Sequence, residues 1–140
     1  APRASVPVGL VVSGRPRVMT SEHCVLQAAG RCVRDCARCG LRRGRVALRD
    51  RDGALLPVRT DPEGRSRIYE AHPLDATPQV AELLSAGVTR FLVDATLLSA
   101  DECAAAVARA CRALSAARAG RRPAPRASGA TSGHLFLGVG

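Results

Sequence analysis

The sequence predicts an α/β protein, and three observations carry that reading. Residues 88–95 hold Phe91, Leu92 and Val93 in one unbroken apolar run, the pattern of a strand covered on both faces in a parallel sheet. Two helical patterns flank it. Thr77 is placed to cap a helix over 78–86, with Pro78 at its first position, where a missing amide hydrogen costs nothing, and Gly87 at its end. Ser99 and Glu102 form an S-x-x-E capping box that opens a second helix running to about Arg118. A third observation is a short apolar run, Val6 to Val12, that reads as a buried strand despite Pro7 and Gly9 near its start.

In chain order, residues 1–5 are polar, and Ser13 to Pro16 is turn chemistry after the first strand. A second strand, Arg17 to Thr20, delivers the chain to a loop beginning Ser21, Glu22, His23, Cys24. Gly40 to Gly44 is a basic turn. Residues 45–49 and 54–59 then flank an Asp52-Gly53 pair, whose glycine supplies the positive φ of a tight hairpin. Pro57 has no amide hydrogen, so the second arm is expected at a sheet edge or with a bulge there. Residues 67–70 read as another short strand. On the 99–118 helix the stripe Cys103, Val107, Ala110, Cys111 and Leu114 is expected to face the core, with both cysteines acting as small hydrophobes. This divides the chain into strands, cysteine loop and hairpin (1–72), an αβα unit (73–118), an Arg/Pro/Ala-rich linker or exposed loop (119–130) and a closing segment (131–140).

Composition narrows the function classes. At 140 residues the chain supports one domain with a moderate core and is too short for a complete eight-fold α/β barrel. Its net charge of +9 comes from 21 basic residues, all arginine, which suits phosphate recognition and also matches what arginine-rich coding puts on any surface. Tyr69, Phe91 and Phe136 are the only aromatic residues, too few for a base-stacking platform. No apolar run is long enough for a membrane span, no signal peptide stands at the start, and a cytoplasmic protein without membrane partners is expected. The chain opens without Met, which suggests the C-terminal portion of a longer protein. No internal repeat, phosphate-binding glycine loop, Ser-His-Asp order or H-E-x-x-H pattern is present.

The chemistry concentrates in Cys24, Cys32, Cys36 and Cys39, spaced C-x7-C-x3-C-x2-C. One loop can fold such a spacing around a metal centre, because thiolates are anionic soft ligands. Zinc modules usually offer two short knuckles, and only Cys36 with Cys39 makes one. An iron–sulfur cluster tolerates uneven spacing, and Arg31, Arg34, Arg38, Arg42 and Arg43 would offset its negative charge, so the cluster is favoured over zinc. Disulfides are the third reading, weakened by the absence of a secretion signal. Glu22 and His23, beside Cys24, are candidates for acid/base work or for orienting ligands. Asp94, at the exit of the buried strand, is a candidate because barrel active sites are built at such ends, though it could equally cap a loop. His134 could reach a site but more commonly such a residue faces solvent.

Several short runs, read together, resemble the later part of the peptidase U32 family: VMTSEHC at 18–24 with the cysteines after it, LRDRDG at 48–53, PVRTD at 57–61, Ile68 with Tyr69, PLD at 73–75, AGV at 86–88 and LVD at 92–94. The run GHLFLGV at 133–139 is similar to that family's end segment. The resemblance covers residues 8–139. It implies the C-terminal part of an α/β (TIM-like) barrel protein, whose missing N-terminal part supplies most of the barrel and is this piece's first partner. The family is labelled as collagenase-like peptidases, while other members are iron–sulfur proteins supporting oxygen-independent hydroxylation of RNA bases or of a quinone precursor. The cysteine loop agrees better with the second group. The resemblance thus implies Cys24, Cys32, Cys36 and Cys39 as ligands of a 4Fe-4S cluster, with RNA as substrate, or a peptide if the protein is a peptidase. It also carries departures: many relatives have a cysteine near the position of Gly64 and a basic residue where Leu137 stands.

Overall fold

The computed structural model describes residues 6–133 and is mixed α/β, with two sheets and three α-helices among those residues. The chain forms two units, one from residues up to 15 together with those from 72 onward, the other from residues 16–71. The first strand therefore groups with the αβα segment and not with the cysteine loop.

The first unit has a three-stranded sheet in the order β6-β1-β7. Strands β1 (Val8–Gly14) and β7 (Val88–Val93) run parallel, and the two-residue β6 (Leu74–Asp75) pairs antiparallel to β1. Helices α2 (Val80–Ser85) and α3 (Ala100–Arg118) pack on one face, around Val12, Leu74 and Ala76 with Leu83, Phe91 and Ala110. The parallel pairing agrees with the apolar run at 88–95. Coverage on both faces does not: Val11 is 39% and Leu92 48% exposed, because alternate residues of each strand point away from the helices.

Helix α3 starts where the capping box places it. The Ser99 hydroxyl accepts the Glu102 amide, and the Glu102 carboxylate accepts the Ser99 amide at 2.8 Å. Its buried stripe is rotated from the expected one. Ala113 is buried, with Cys103, Ala106, Ala110, Leu114 and Ala117 half-buried, whereas Val107 and Cys111 are exposed. Cys111 is thus a surface thiol and not a core residue. Thr77 is also corrected: its hydroxyl donates to Asp75 Oδ1 at 2.6 Å and makes no cap, and a 3₁₀ turn (Thr77–Gln79) precedes α2.

Asp75 organises this unit. Its side chain is 5% exposed and accepts the Thr77 amide and hydroxyl, the Ala127 amide at 2.8 Å, and Arg109 Nε at 3.0 Å, with a second Arg109 nitrogen at 2.8 Å. Burial alone would raise its pKa, but the Thr77, Ala127 and Arg109 hydrogen bonds outweigh that and hold it below the usual carboxylate range. The 119–130 segment is an irregular, mostly exposed loop that is anchored at points: Arg126 Nε donates to the Asp75 carbonyl, and Thr131, just beyond it, bridges to Leu74. His134 and most of the closing segment lie outside the described residues.

The second unit is a four-stranded antiparallel sheet, β2-β5-β4-β3, from β2 (Arg17–Ser21), β3 (Val46–Arg49), β4 (Leu55–Thr60) and β5 (Ser66–Tyr69). The β3–β4 hairpin turns at Asp50–Gly53 as its Asp-Gly pair predicts, with the Asp50 carboxylate accepting the Asp52 and Ala54 amides. Strand β4 is interior, contrary to the edge expectation. Pro57 is tolerated because it pairs only with Ala47 of β3, while the ladder to β5 begins at Val58. The alternation of an antiparallel ladder puts the Ala47–Pro57 pair at a non-hydrogen-bonded position, so no amide hydrogen is missed.

Candidate metal centre

The cysteine loop hangs between β2 and β3. A four-residue helix, α1 (Val25–Ala28), follows Cys24 directly, a piece too short to be read from periodicity. Its first amide, Val25 N–H, donates to the hydroxyl of Ser66 at 3.1 Å, and that hydroxyl is shared with Thr60 at 3.3 Å. Ser66 is fully buried, so the start of β5 fixes the backbone next to Cys24. Irregular backbone then runs through Cys32 and Cys36 to a 3₁₀ turn (Gly40–Arg43) after Cys39.

All four cysteines of the loop line one cavity of about 20 Å³ on this unit. Cys39 is buried, Cys24 half-buried, and Cys32 and Cys36 exposed; no disulfide joins any of the six cysteines. The Arg34 amide donates to Cys32 Sγ at 3.3 Å, in a turn where Arg34 takes φ of 56°. Asp35 accepts the Arg38 amide at 3.1 Å and closes the knuckle between Cys36 and Cys39. Arg42 also lines the cavity, and its Nε is buried without a hydrogen-bond acceptor.

Across the cavity stands the turn between β4 and β5. Asp61 is buried and its carboxylate accepts the Glu63 and Arg65 amides, Arg65 Nε at 2.9 Å and an Arg67 nitrogen at 3.3 Å. Burial pushes its pKa up, but the Arg65 amide and guanidinium, then the Arg67 charge, bring it below the ordinary value. The D-P-x-G sequence at 61–64 was the available signal for this turn. Gly64, with φ of 86°, faces Cys36: a Cβ built there would lie 3.6 Å from the Cys36 sulfur.

The donor set fits a thiolate-bound metal on three counts: four cysteines on one cavity, an amide aimed at a sulfur, and a buried cationic donor lacking an acceptor. The sulfurs are not drawn to one point. Among the described residues no three His, Cys, Asp or Glu side chains are gathered closely enough to hold an ion. The cavity has room for one water-sized sphere, so a single ion would need less movement of the 30–39 loop than a cluster.

The other candidates stand apart from this cavity. Glu22 and His23 are exposed on the turn before Cys24; the His23 amide donates to Ser21 Oγ, and Glu22 adds to the negative field at Arg65. Asp94 belongs to the other unit. Its carboxylate accepts the Thr96 amide at 2.9 Å and hydroxyl at 2.5 Å, closing the turn after β7. Among the described residues no helix is long and apolar enough to cross a membrane. No protein-family model, curated protein or solved structure matches this chain.

Proposed function

We propose that this chain is the C-terminal part of a U32-family iron–sulfur protein of the cytoplasm, whose complete form supports hydroxylation of RNA bases. The observation that carries the proposal is the single cavity lined by Cys24, Cys32, Cys36 and Cys39. Gly64 lies against the Cys36 sulfur, where the resemblance to the U32 family implies a cysteine that this chain lacks, so Cys24, Cys32, Cys36 and Cys39 would be the whole ligand set here. When bound, such a cluster supplies one-electron chemistry. The four thiolates would hold it, and the Arg34 amide, which already donates to Cys32 Sγ, would orient that sulfur. Arg42 Nε would find in a sulfur the acceptor it lacks. Arg31, Arg34 and Arg38 on the same loop would offset the negative charge. Substrate binding falls to the barrel part of the complete enzyme, of which β1, β7, α2 and α3 would be closing pieces.

Zinc is the second reading, favoured by the small volume of the cavity. Both readings are separated by anaerobic purification of the complete protein, followed by its visible spectrum and analysis for iron, sulfide and zinc. Broad sulfur-to-iron absorption that Cys36→Ser removes is the expected result. A colourless protein with one equivalent of zinc overturns the cluster. Full activity and colour in the Cys36→Ser protein overturn the ligand assignment, and cleavage of denatured collagen surviving that substitution would place the protein with the U32 peptidases.

A further inference from the structure

The C-terminal end of α3 is built to turn back on itself. The Gly120 amide donates to the Ala117 carbonyl and the Arg121 amide to the Ala116 carbonyl at 2.8 Å, with Gly120 at φ of 65°. This is the paired 5→2 and 6→1 bonding of a Schellman motif, which needs a left-handed residue at that place. It brings Arg121 and Arg122 beside the helix face that carries Arg112 and Ser115, one turn apart. The result is an open cavity of about 520 Å³ lined by Arg109, Arg112, Arg121, Arg122, Cys111 and Ser115 among others. That volume lies in the range of small-molecule and cofactor sites.

The four arginines differ. Arg109 is committed to Asp75 and to the Pro125 carbonyl, and so fixes the far wall. Arg112, Arg121 and Arg122 are exposed, and no described carboxylate pairs with any of them or lines the cavity. Three guanidiniums around one recess repel each other, and an anion of matching geometry relieves that cost through bidentate hydrogen bonds. No aromatic side chain lines the recess, so it offers no ring platform of the kind that stacks successive bases. The groups present recognise phosphate, in a strip that is sequence-tolerant and salt-dependent.

We infer that this cavity binds the phosphodiester backbone of RNA. The anion site rests on the three arginines alone; the choice of RNA rests on the base-hydroxylation reading above. The cavity lies on a different unit from the cysteine loop, so the two assignments can be tested apart.

The test is fluorescence anisotropy of a labelled single-stranded RNA 12-mer with the complete protein. One variant combines Arg112→Gln, Arg121→Gln and Arg122→Gln; a control combines Arg17→Gln, Arg51→Gln and Arg90→Gln, exposed arginines elsewhere. Each lowers the net charge equally. Three backbone contacts on a single strand account for a salt slope of roughly 2, so between about 50 and about 200 mM salt the wild type should lose about 20-fold more affinity than the first variant. The control should track the wild type. Bound RNA should also slow iodoacetamide labelling of Cys111, read by peptide mass spectrometry. Equal loss in both triple variants would reduce the effect to net charge and overturn the site. So would unchanged Cys111 labelling, whereas displacement of the RNA by inorganic phosphate at matched ionic strength would leave an anion site and overturn RNA as its occupant. The visible spectrum of the same samples reports the cysteine loop separately, so loss of the cluster is never mistaken for loss of RNA binding.

Discussion

Replacing Asp75 with Ala tests how the first unit is held together. The substitution removes the acceptor for two Thr77 donors and the Ala127 amide, and leaves Arg109, 27% exposed, without its ion partner. Breaking a buried pair from one side costs about 3–5 kcal/mol. Partial access of water to Arg109 puts the expected loss at the lower end, about 3 kcal/mol, a large share of a domain's stability of about 5–15 kcal/mol. The assay is urea unfolding followed by circular dichroism at 222 nm, a signal dominated by the 19 residues of α3 and the six of α2. Tyr69, the only tyrosine, is buried in the other unit and its fluorescence separates a local loss from global unfolding. The native pKa of Asp75 lies below its unfolded value of about 3.9. Its stabilisation is therefore fully present above about 3.9 and disappears as pH falls through the lower native pKa, so the wild-type and Asp75→Ala midpoints should converge in acid. A loss under about 1 kcal/mol at pH 7, or a gap that does not close in acid, would refute Asp75 as the organising group.

Asp61→Asn should lower the midpoint read by Tyr69 at neutral pH, and the difference should vanish as pH falls through the depressed native pKa of Asp61, a convergence that a midpoint-against-pH series would show. Ser99→Ala removes one half of the capping box and should cost about 1 kcal/mol in the 222 nm transition, with Ser99→Asp recovering most of it. Gly64→Cys should cross-link to Cys36 in air, detected as one disulfide-joined peptide pair; its reduced form should be destabilised by about 1–2 kcal/mol, because a side chain is forced to adopt a left-handed φ. Cross-linking to a different cysteine would contradict the placement of that turn.

Local signals were legible in the sequence and long-range ones were not. The capping box at Ser99 and the Asp-Gly turn at 52–53 each close within four residues, so their chemistry is complete in the string. The parallel partner of β7 was legible in kind, since an unbroken apolar run asks for that setting, but not the open face that its alternate residues leave. The face of α3 was misread for a physical reason. An alanine-rich helix has few large side chains to mark its inner stripe, and what turns it is the Arg109–Asp75 pair, 34 positions apart. At the candidate metal centre the sequence supplied the four cysteines. Arg42 was among the arginines already named beside them, and Gly64 was marked by the family resemblance; Asp61 was not legible, because it reaches the cavity only through the turn between β4 and β5.

The division of the chain has a consequence for how such a protein can be altered. The cysteine-bearing unit is one continuous stretch, 16–71, whereas the unit around it is made of two separated stretches. The ends of the continuous piece are already joined: the Glu70 amide donates to the Pro16 carbonyl at 2.9 Å. A segment that leaves and re-enters at neighbouring points behaves as a cassette, of the kind that domain insertion tolerates. Such a cassette could be lost, duplicated or exchanged in a lineage without breaking a strand of its host. The same boundary marks where the chain could be cut at the bench, with the two ends already held together by that hydrogen bond.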